Sequence, residues 1–459
     1  MRGTGDSQLL LGFYGDDFSG STDVMEVLAL AGVRTLLLLR PPDADLLERR
    51  PDLQAVGIAG VSRSLPAAAM EAELEPAFAA LASLPLRLAH YKVCSTFDSA
   101  PEVGSIGRAI ALGRTAFDAP CVPVLAGAPA LGRYCVFGNL FARSGAGSPV
   151  YRLDRHPTMS RHPVTPMGES DLALHLAEQT TRKIALLNIL DVRGRAGPVE
   201  NRLKQLHREG AEAVLLDVLD DYDLPQLGRL LWEHGGRFVV GSSGVEYALT
   251  AHWQRIGLLP APPSPPSFAA VERALIVSGS CSPVTASQVH HAVSHGFAEV
   301  GLRPVEWIDA ERRVGPVIRR VLELLGTGRS VVVHTAMGPE DRRIEETRAL
   351  LTLDGRERQR DRSLGRMLAA VVRAAVERAG VRRVAVAGGD TSGYVTRELD
   401  MDALSFVAPI APGSPLCRVH AGSMRELDGL EITFKGGQVG QADFFERVLR
   451  GSAPGSNGS

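Results

Sequence analysis

The 459-residue sequence has few cysteines, almost no net charge and no long apolar run. Its five cysteines, at positions 94, 121, 135, 281 and 417, form no CxxC pair, which excludes a disulfide scaffold and predicts reduced thiols. A formal net charge of −2 gives no basic surface for nucleic acid or anionic membrane. No stretch is apolar enough to span a bilayer, and residues 1–8 lack the pattern of a signal peptide. We therefore expect a cytoplasmic protein with small-molecule partners, without nucleic acid or membrane.

Several familiar chemical motifs are also missing. There is no GxxxxGK[ST] phosphate loop, no GxGxxG after the first apolar run and no HExxH zinc pattern. His156 and His162 are separated by proline and fix no common face, so loop histidines are expected rather than zinc ligands. His291 and His295 form an i, i+4 pair on an amphipathic pattern, where a solvated helix face is expected. The sequence therefore predicts no dedicated metal ligands.

What the chain does have is an ordinary globular composition, with 45% hydrophobic and 22% charged residues, in a length that suits two or three domains. Short apolar runs with little alternation are interspersed with helical patterns, as in parallel sheets covered on both faces. In the N-terminal half this predicts strands at 9–14, 35–39, 55–59, 121–125, 184–188, 213–217 and 238–241, and helices at 66–84, 171–179, 198–209 and 224–232. In the C-terminal half it predicts strands at 274–277, 330–334, 383–387, 406–410 and 430–434, and helices at 285–294, 314–325 and 363–379.

A proline-rich segment separates the two halves. Residues 260–266, Pro-Ala-Pro-Pro-Ser-Pro-Pro, cannot hold a helix or a central strand and predict a stiff linker. We therefore expect an α/β protein of two lobes with largely parallel sheets: an N-terminal domain at 1–259, a linker at 260–268, a C-terminal domain at 269–450 and a disordered tail at 451–459. Two lobes joined by a linker suggest an active-site cleft between them that brings two substrates together.

The loop at residues 15–23, Gly-Asp-Asp-Phe-Ser-Gly-Ser-Thr-Asp, separates the first predicted strand from a helical pattern that begins near Val24. In α/β proteins such a loop lies over the carboxyl end of the strand, where ligands bind. Helix capping explains one Asp or Ser. The adjacent carboxylates of Asp16 and Asp17, with a third at Asp23, exceed what capping needs. The loop therefore predicts a functional site.

Three small-residue loops follow strands of the C-terminal half. They comprise Ser278, Gly279 and Ser280; Gly388, Gly389, Asp390 and Thr391, before a helix start near Tyr394; and Lys435, Gly436 and Gly437. Glycine lets the backbone approach an anion closely, and a helix N-terminus supplies N–H donors. Each loop alone is equally well explained as a tight turn. Together they predict a nucleotide site at one sheet edge.

Further polar residues follow strands of the N-terminal half. Arg63 stands after the strand at 55–59, where it can bind a carboxylate through two hydrogen bonds. The segment 90–99 adds Lys92, Ser95, Thr96 and Asp98, and Arg133 stands in a later loop. Surface solvation would explain any one of these cations. The occurrence of these cations together with hydroxyl groups favours a small anionic polyol as the ligand.

These segments, in this order, resemble those of the four-carbon acid sugar kinase family over nearly the whole chain. Members of that family are ATP-dependent kinases of sugar acids such as threonate, erythronate and oxo-tetronate, with the acid bound by the N-terminal domain and ATP by the C-terminal one. The resemblance implies that Asp16, Arg63, Lys92, Ser95 and Thr96 bind the acid, and that Ser278, Gly388 to Thr391 and Gly437 bind ATP.

The chain departs from the family pattern at one informative place. Where the family often has Lys-x-Asp-Ser-Thr-Leu-Arg-Gly, residues 92–99 read Lys-Val-Cys-Ser-Thr-Phe-Asp-Ser, which loses a carboxylate and an arginine and gains Asp98. This version looks like the branch linked to phosphorylation of the branched sugar acid 3-oxo-isoapionate. The substrate is therefore expected to differ from threonate.

The function expected from these features is phosphoryl transfer from ATP to a hydroxyl of a small sugar acid. Asp17 or Asp16 would deprotonate that hydroxyl, and Arg63 with Lys92 would hold the acid's carboxylate. Mg²⁺ would arrive with the nucleotide, with Asp390 the one protein ligand suggested. Two alternatives stay open: a sugar-acid isomerase or aldolase, and a non-catalytic metabolite sensor. The oligomeric state is not fixed by the sequence, and a homodimer is kept as an expectation.

Overall fold

The computed structural model describes residues 9–43, 45–145, 147–162, 164–194, 196–354 and 360–452. The chain divides into two compact units, Met1–Pro263 and Ser264–Ser459, and the division falls inside the proline-rich segment predicted as a linker. Of the predicted tail, all but the first two residues lies outside the described residues. Within the described ranges, no helix combines the length and the apolar character needed to cross a bilayer.

The N-terminal unit is built on a parallel sheet. Its strands are β1 (Leu9–Gly15), β2 (Thr35–Leu38), β3 (Ala55–Ala59), β4 (Leu86–Lys92), β5 (Val122–Leu125), β9 (Ile184–Leu187), β10 (Ala213–Leu216) and β11 (Phe238–Gly241), in the order β2-β3-β1-β4-β11-β5-β10-β9. All of these pairings run parallel. The carboxyl ends of the strands therefore share one edge, where polar loops collect.

Helices connect these strands. They are α1 (Phe18–Leu30), α2 (Leu46–Arg49), α3 (Ala67–Ala82), α4 (Ile106–Ala116), α5 (Leu172–Ala177), α6 (Ile189–Val192), α7 (Ala196–Arg208), α8 (Leu224–Arg229) and α9 (Gly244–Arg255). A small antiparallel sheet lies between β5 and α5 in the chain, formed by β6 (Arg133–Val136), β7 (Asn139–Arg143) and β8 (Val150–Arg152). The sequence patterns did not predict it, because its strands are short and only partly buried.

Strand β4 is the main strand of this unit that the sequence did not predict. Its residues His90 and Lys92 break the apolar run, yet both are buried in the centre of the sheet. Each is compensated from a neighbouring helix: His90 Nδ1 lies 2.6 Å from Glu246 Oε1 of α9, and Lys92 Nζ lies 3.9 Å from Asp23 Oδ2 of α1. Such pairing across elements cannot be read from local periodicity.

The C-terminal unit has a mixed sheet. Its strands are β12 (Leu275–Ser278), β13 (Ala298–Gly301), β14 (Val331–His334), β15 (Arg383–Ala387), β16 (Ala403–Ala411), β17 (Ser414–His420) and β18 (Glu431–Lys435), in the order β13-β14-β12-β15-β18-β17-β16. Its helices are α10 (Pro283–Ser294), α11 (Pro304–Ile308), α12 (Ala310–Gly326), α13 (Arg342–Asp354), α14 (Arg360–Ala379), α15 (Gly389–Leu399) and α16 (Phe444–Arg450). The pairings run parallel from β13 to β18, and β17 joins antiparallel to both of its neighbours. The expectation of largely parallel α/β sheets is confirmed.

Two helix starts differ from prediction in the same way. Helix α1 begins at Phe18 rather than near Val24, and α15 begins at Gly389 rather than near Tyr394. In both places the residues predicted as loop form the first turn of the helix. Gly and Ser have low helix propensity, so the first helical turn after each strand resembles a loop in the sequence.

Candidate functional site

The loops after β1, β3 and β4 lie together at the carboxyl edge of the N-terminal sheet. Gly15 is in register with both Ala59 and Lys92, so strands β1, β3 and β4 end side by side and the loops that follow them begin next to one another. Backbone hydrogen bonds then join them: Asp16 N–H donates to the Lys92 carbonyl (2.9 Å), and Arg63 N–H donates to the Asp16 carbonyl (3.0 Å). Three predicted site residues from distant parts of the sequence are thus neighbours.

Asp17 is the N-cap of α1. Its Oδ1 accepts from Gly20 N–H (2.9 Å), and its Oδ2 accepts from Arg63 Nη2 (2.6 Å). A Cβ on Gly20 would lie 2.4 Å from Asp17 Oδ1 and 2.8 Å from Lys92 Nζ, so a larger residue there would displace these two side-chain groups. Both oxygens of Asp17 are therefore engaged, one by the helix and one by the arginine.

Asp16 is placed differently. It is only 3% exposed, and its Oδ1 is buried without a hydrogen-bond partner among the described residues. Burial raises the pKa of Asp16 to about 7; Asp17 and Asp98 add to this rise, while Arg63 and Lys92 oppose it. A carboxylate with a free oxygen and a pKa near neutrality is well suited to take up a proton.

Lys92 supplies a buried positive charge beside this pair. Burial alone would lower the pKa of Lys92, but Asp23, Asp17 and Asp16 outweigh it and hold the pKa above its usual value. Burial also raises the pKa of Asp23 itself. The role of Asp23 as the partner of Lys92 was missed in the sequence, where it was only a third carboxylate of the loop.

The segment after β4 folds back on itself. Phe97 has a φ of 56°, and the turn lets Thr96 Oγ1 donate to Asp98 Oδ1 (2.6 Å) while Cys94 Sγ lies 3.0 Å from Thr96 Oγ1. Burial alone would raise the pKa of Asp98, but Arg63 and the bond from Thr96 hold it below its usual value. Ser95 is half-buried in the same turn. Asp98 is thus an ionised carboxylate facing Arg63.

Arg133 begins β6. Its Nη1 donates to the carbonyl of Leu131 (2.7 Å) and to that of Arg143 (3.1 Å). Its Nε is buried and has no partner among the described residues. Burial lowers the pKa of Arg133, whereas the nearby Cys94 and Asp98 favour its charge.

The three small-residue loops of the C-terminal unit pack against one another. A Cβ on Gly279 would lie 2.3 Å from Thr391 Oγ1, and one on Gly437 would lie 3.0 Å from Ser280 Oγ. Gly388 has a φ of 121°, which a side chain would oppose. Gly389, Asp390 and Thr391 form the first turn of α15, whose N-cap Gly388 offers no side-chain acceptor. Ser278 is fully buried at the end of β12, and Gly436 opens the turn after β18.

Lys435 ends β18 and is fully buried. Its Nζ donates to Thr285 Oγ1 (3.0 Å), and the Thr285 hydroxyl donates to the Gly437 carbonyl (3.0 Å). Burial lowers the pKa of Lys435 to about 7. The lysine thus joins the first turn of α10 to the loop that follows β18.

The histidines singled out in the sequence have local partners. His156 Nδ1 accepts from Thr158 N–H (3.3 Å) and Met159 N–H (3.2 Å), and His162 Nδ1 accepts from Thr165 N–H (3.1 Å), which fits loop histidines. On the helix face predicted to be solvated, His291 is partly buried and its Nε2 lies 2.7 Å from Glu446 Oε2 of α16. His291, His295 and Glu446 place ligand-type atoms within 4.8 Å of one another, a geometry that can hold a cation.

Two family models match the chain. A sugar-binding N-terminal domain matches residues 11–249, and a nucleotide-binding C-terminal domain matches residues 275–445. A 3-oxo-isoapionate kinase of Paraburkholderia graminis is 48% identical over 98% of this chain and 96% of its own length. A 3-oxo-tetronate kinase of Cupriavidus necator is 29% identical over 96% of each chain.

The fold has a counterpart among solved structures. A crystal structure of a protein from Salmonella typhimurium LT2 superposes with a TM-score of 0.77 at 24% identity, covering 96% of this chain and 99% of that one. At this identity the likeness speaks for the fold alone.

Proposed function

This chain belongs to the four-carbon acid sugar kinase family, and we propose from that premise that it transfers the γ-phosphoryl group of ATP to a hydroxyl of a small sugar acid. The first candidate for the acid is 3-oxo-isoapionate, and the second is a 3-oxo-tetronate. The observation that carries this proposal is the 48% identity to a 3-oxo-isoapionate kinase along almost the full length of both chains.

The residues after β1, β3 and β4 support a role for the N-terminal unit in binding the acid. Asp16 is assigned as the proton acceptor, because its Oδ1 has no hydrogen-bond partner in the described part of the chain and burial raises its pKa to about 7. Asp17 is assigned to hold Arg63, since its oxygens are already engaged. Lys92, Ser95, Thr96 and Asp98 complete the acid site in this proposal.

The loops of the C-terminal unit are assigned to ATP. Gly279, Gly388 and Gly437 let these loops approach one another closely, and the first turn of α15 can offer backbone N–H groups to phosphate oxygens. Ser278, Ser280, Gly389, Thr391 and Gly436 line the same turns. Lys435 would hold the loop after β18 in place through Thr285. Asp390 is the residue suggested to bind Mg²⁺, which would neutralise charge on the phosphates.

Phosphoryl transfer needs positioning and charge neutralisation more than covalent chemistry. In the proposed mechanism the substrate hydroxyl loses its proton to Asp16 as its oxygen bonds to the γ-phosphorus, and ADP leaves. An isomerase or aldolase would also use Asp16, Asp17 and Lys92, but the family and the relatives quoted above favour the kinase. A location in the cytoplasm and a homodimer stay predictions.

A coupled assay for ADP release over four- and five-carbon sugar acids, including 3-oxo acids, tests the proposal. We expect acid-dependent ADP release, with 3-oxo-isoapionate giving the highest kcat/KM. Absence of acid-dependent ADP release across the panel, together with isomerisation or cleavage of a phosphorylated sugar, would replace the kinase with the isomerase or aldolase.

A further inference from the structure

We propose that Arg133, rather than Arg63, binds the carboxylate of the substrate acid. The inference rests on the proposed function, because it names the group that recognises the acid in a sugar-acid kinase. It arises from the contrast between the two arginines at the carboxyl edge of the N-terminal sheet.

Arg63 already interacts with carboxylates of the protein itself. Its Nη2 is 2.6 Å from Asp17 Oδ2, and Asp16 and Asp98 both act on its charge. A substrate carboxylate at Arg63 would therefore meet three protein carboxylates, of which Asp17 competes directly for the guanidinium. Like charges within a few ångströms oppose binding, so this arginine is better suited to ordering the acidic residues than to attracting another anion.

Arg133 is held on one side only. Its Nη1 is fixed by the carbonyls of Leu131 and Arg143, which accept hydrogen bonds without neutralising its charge. Its Nε is buried and has no hydrogen-bond partner among the described residues, and the hydrogen bonds that its guanidinium donates to described residues come from Nη1. Nε and Nη2 form the edge of a guanidinium that matches the two oxygens of a carboxylate.

The position of Arg133 fits this role. Its side chain lies close enough to Cys94 and Asp98 for electrostatic interaction, and those residues belong to the turn that faces Arg63. It follows β5, so it reaches the same edge of the parallel sheet as Asp16. A buried N–H without an acceptor is costly, and an incoming carboxylate would satisfy it.

The same placement accounts for selectivity. An arginine that is fixed through Nη1 and meets its ligand through the Nε–Nη2 edge selects a planar, bidentate anion over a neutral amide or alcohol. We infer that the carboxylate of the acid lies at β6 while its hydroxyl faces Asp16. The ligand class at this subsite is a carboxylate on a short polyol chain.

The test compares an acid that the wild-type enzyme phosphorylates with the primary amide of the same acid. In Arg133→Gln we expect KM for the acid to rise about a hundredfold with kcat within about threefold, as loss of a charge-assisted pair predicts. KM or Ki for the amide should stay within about twofold, so the preference for the acid collapses. Arg133→Lys keeps the positive charge but loses the paired N–H donors of the guanidinium. Its preference for the acid over the amide should lie between those of the wild type and Arg133→Gln.

Arg87→Gln is the matched control, because Arg87 lies near the start of β4 and donates to the Trp232 carbonyl away from the site edge. It should leave both constants unchanged. Full acid-over-amide preference in a folded Arg133→Gln or Arg133→Lys variant would overturn the proposal. Thermal stabilisation by the acid without nucleotide gives a second readout: loss of this stabilisation in Arg133→Gln supports the subsite even if no ADP is released, whereas its retention contradicts it.

Discussion

The two units use different chemistry at the carboxyl edges of their sheets. In the N-terminal unit the edge carries ionisable side chains that compensate one another in the interior, such as Asp16, Asp17, Arg63 and Lys92. In the C-terminal unit the edge carries glycines and hydroxyls, with the buried Lys435 beneath them. The first arrangement suits proton transfer and anion selection, and the second suits backbone contact with phosphates. A substitution at the edge of the N-terminal sheet should therefore affect the use of the acid, and a substitution at the edge of the C-terminal sheet should affect the use of the nucleotide.

The largest expected effect comes from Asp16→Asn. Removing the proton acceptor should lower kcat about a thousandfold while leaving ATP affinity within about twofold. Steady-state kinetics with direct ATP-binding measurements would show this. Undiminished turnover would remove Asp16 as the base and return that role to Asp17.

Asp17→Asn should have a smaller effect, about a hundredfold in kcat. An asparagine can still cap α1 through its carbonyl oxygen but no longer neutralises Arg63. Arg63 would then no longer hold the acidic residues of the site in their positions. A double-mutant cycle with Arg63→Gln should then show strong non-additivity in kcat. If the two changes are instead additive, the pair does not act as a unit.

Gly388→Ala tests the nucleotide side. A Cβ there would lie 2.8 Å from Thr391 Oγ1 at a φ of 121°, so the turn must shift, and we expect KM for ATP to rise about tenfold to thirtyfold with little change in KM for the acid. Gly296→Ala is the matched control, with a φ of 97° and, apart from its own chain neighbours, no atom of the described residues within 4 Å of an added Cβ. It should cost stability alone. Equal effects of Gly388→Ala on both substrates would contradict the division of labour.

The smallest effect concerns stability and pH. Because the folded pKa of Asp16 is about 7 and the ordinary value is 3.8, the folded state binds more protons between these pH values. The free energy of unfolding of the wild type therefore falls as pH rises through this window. Asp16→Asn lacks this loss, so its Tm should exceed that of wild type by about 3 °C at pH 8 and match it near pH 4. The measurement is a pair of thermal melts across that range, and a Tm difference that does not depend on pH would contradict the assigned burial cost.

Some of this organisation could be predicted from sequence and some could not. The strand-to-helix junction at residues 15–23, though not the start of its helix at Phe18, the proline-rich boundary and the three glycine-rich segments follow from local residue preferences. Strand β4 could not be predicted, because the polar side chains of His90 and Lys92 pair with Glu246 and Asp23 from other elements.

The distinction between Asp16 and Asp17 likewise depends on tertiary contacts. Adjacent in sequence, they differ because Asp17 caps a helix and binds Arg63, while Asp16 keeps a buried oxygen that accepts no hydrogen bond from the described residues. The orientation of the Arg133 guanidinium is set by the carbonyls of Leu131, before β6, and Arg143, in β7. The strands of this β6–β7 hairpin are too short to recognise from periodicity. Roles within the site therefore required the structure.

Direct detection of the transferred phosphoryl group tests the central claim. ³¹P NMR of the protein with MgATP and 3-oxo-isoapionate should show a new phosphomonoester signal that grows in step with ADP, at the expense of ATP. Accumulation of inorganic phosphate with ADP and without a phosphomonoester, or ATP that persists unchanged, would contradict the account.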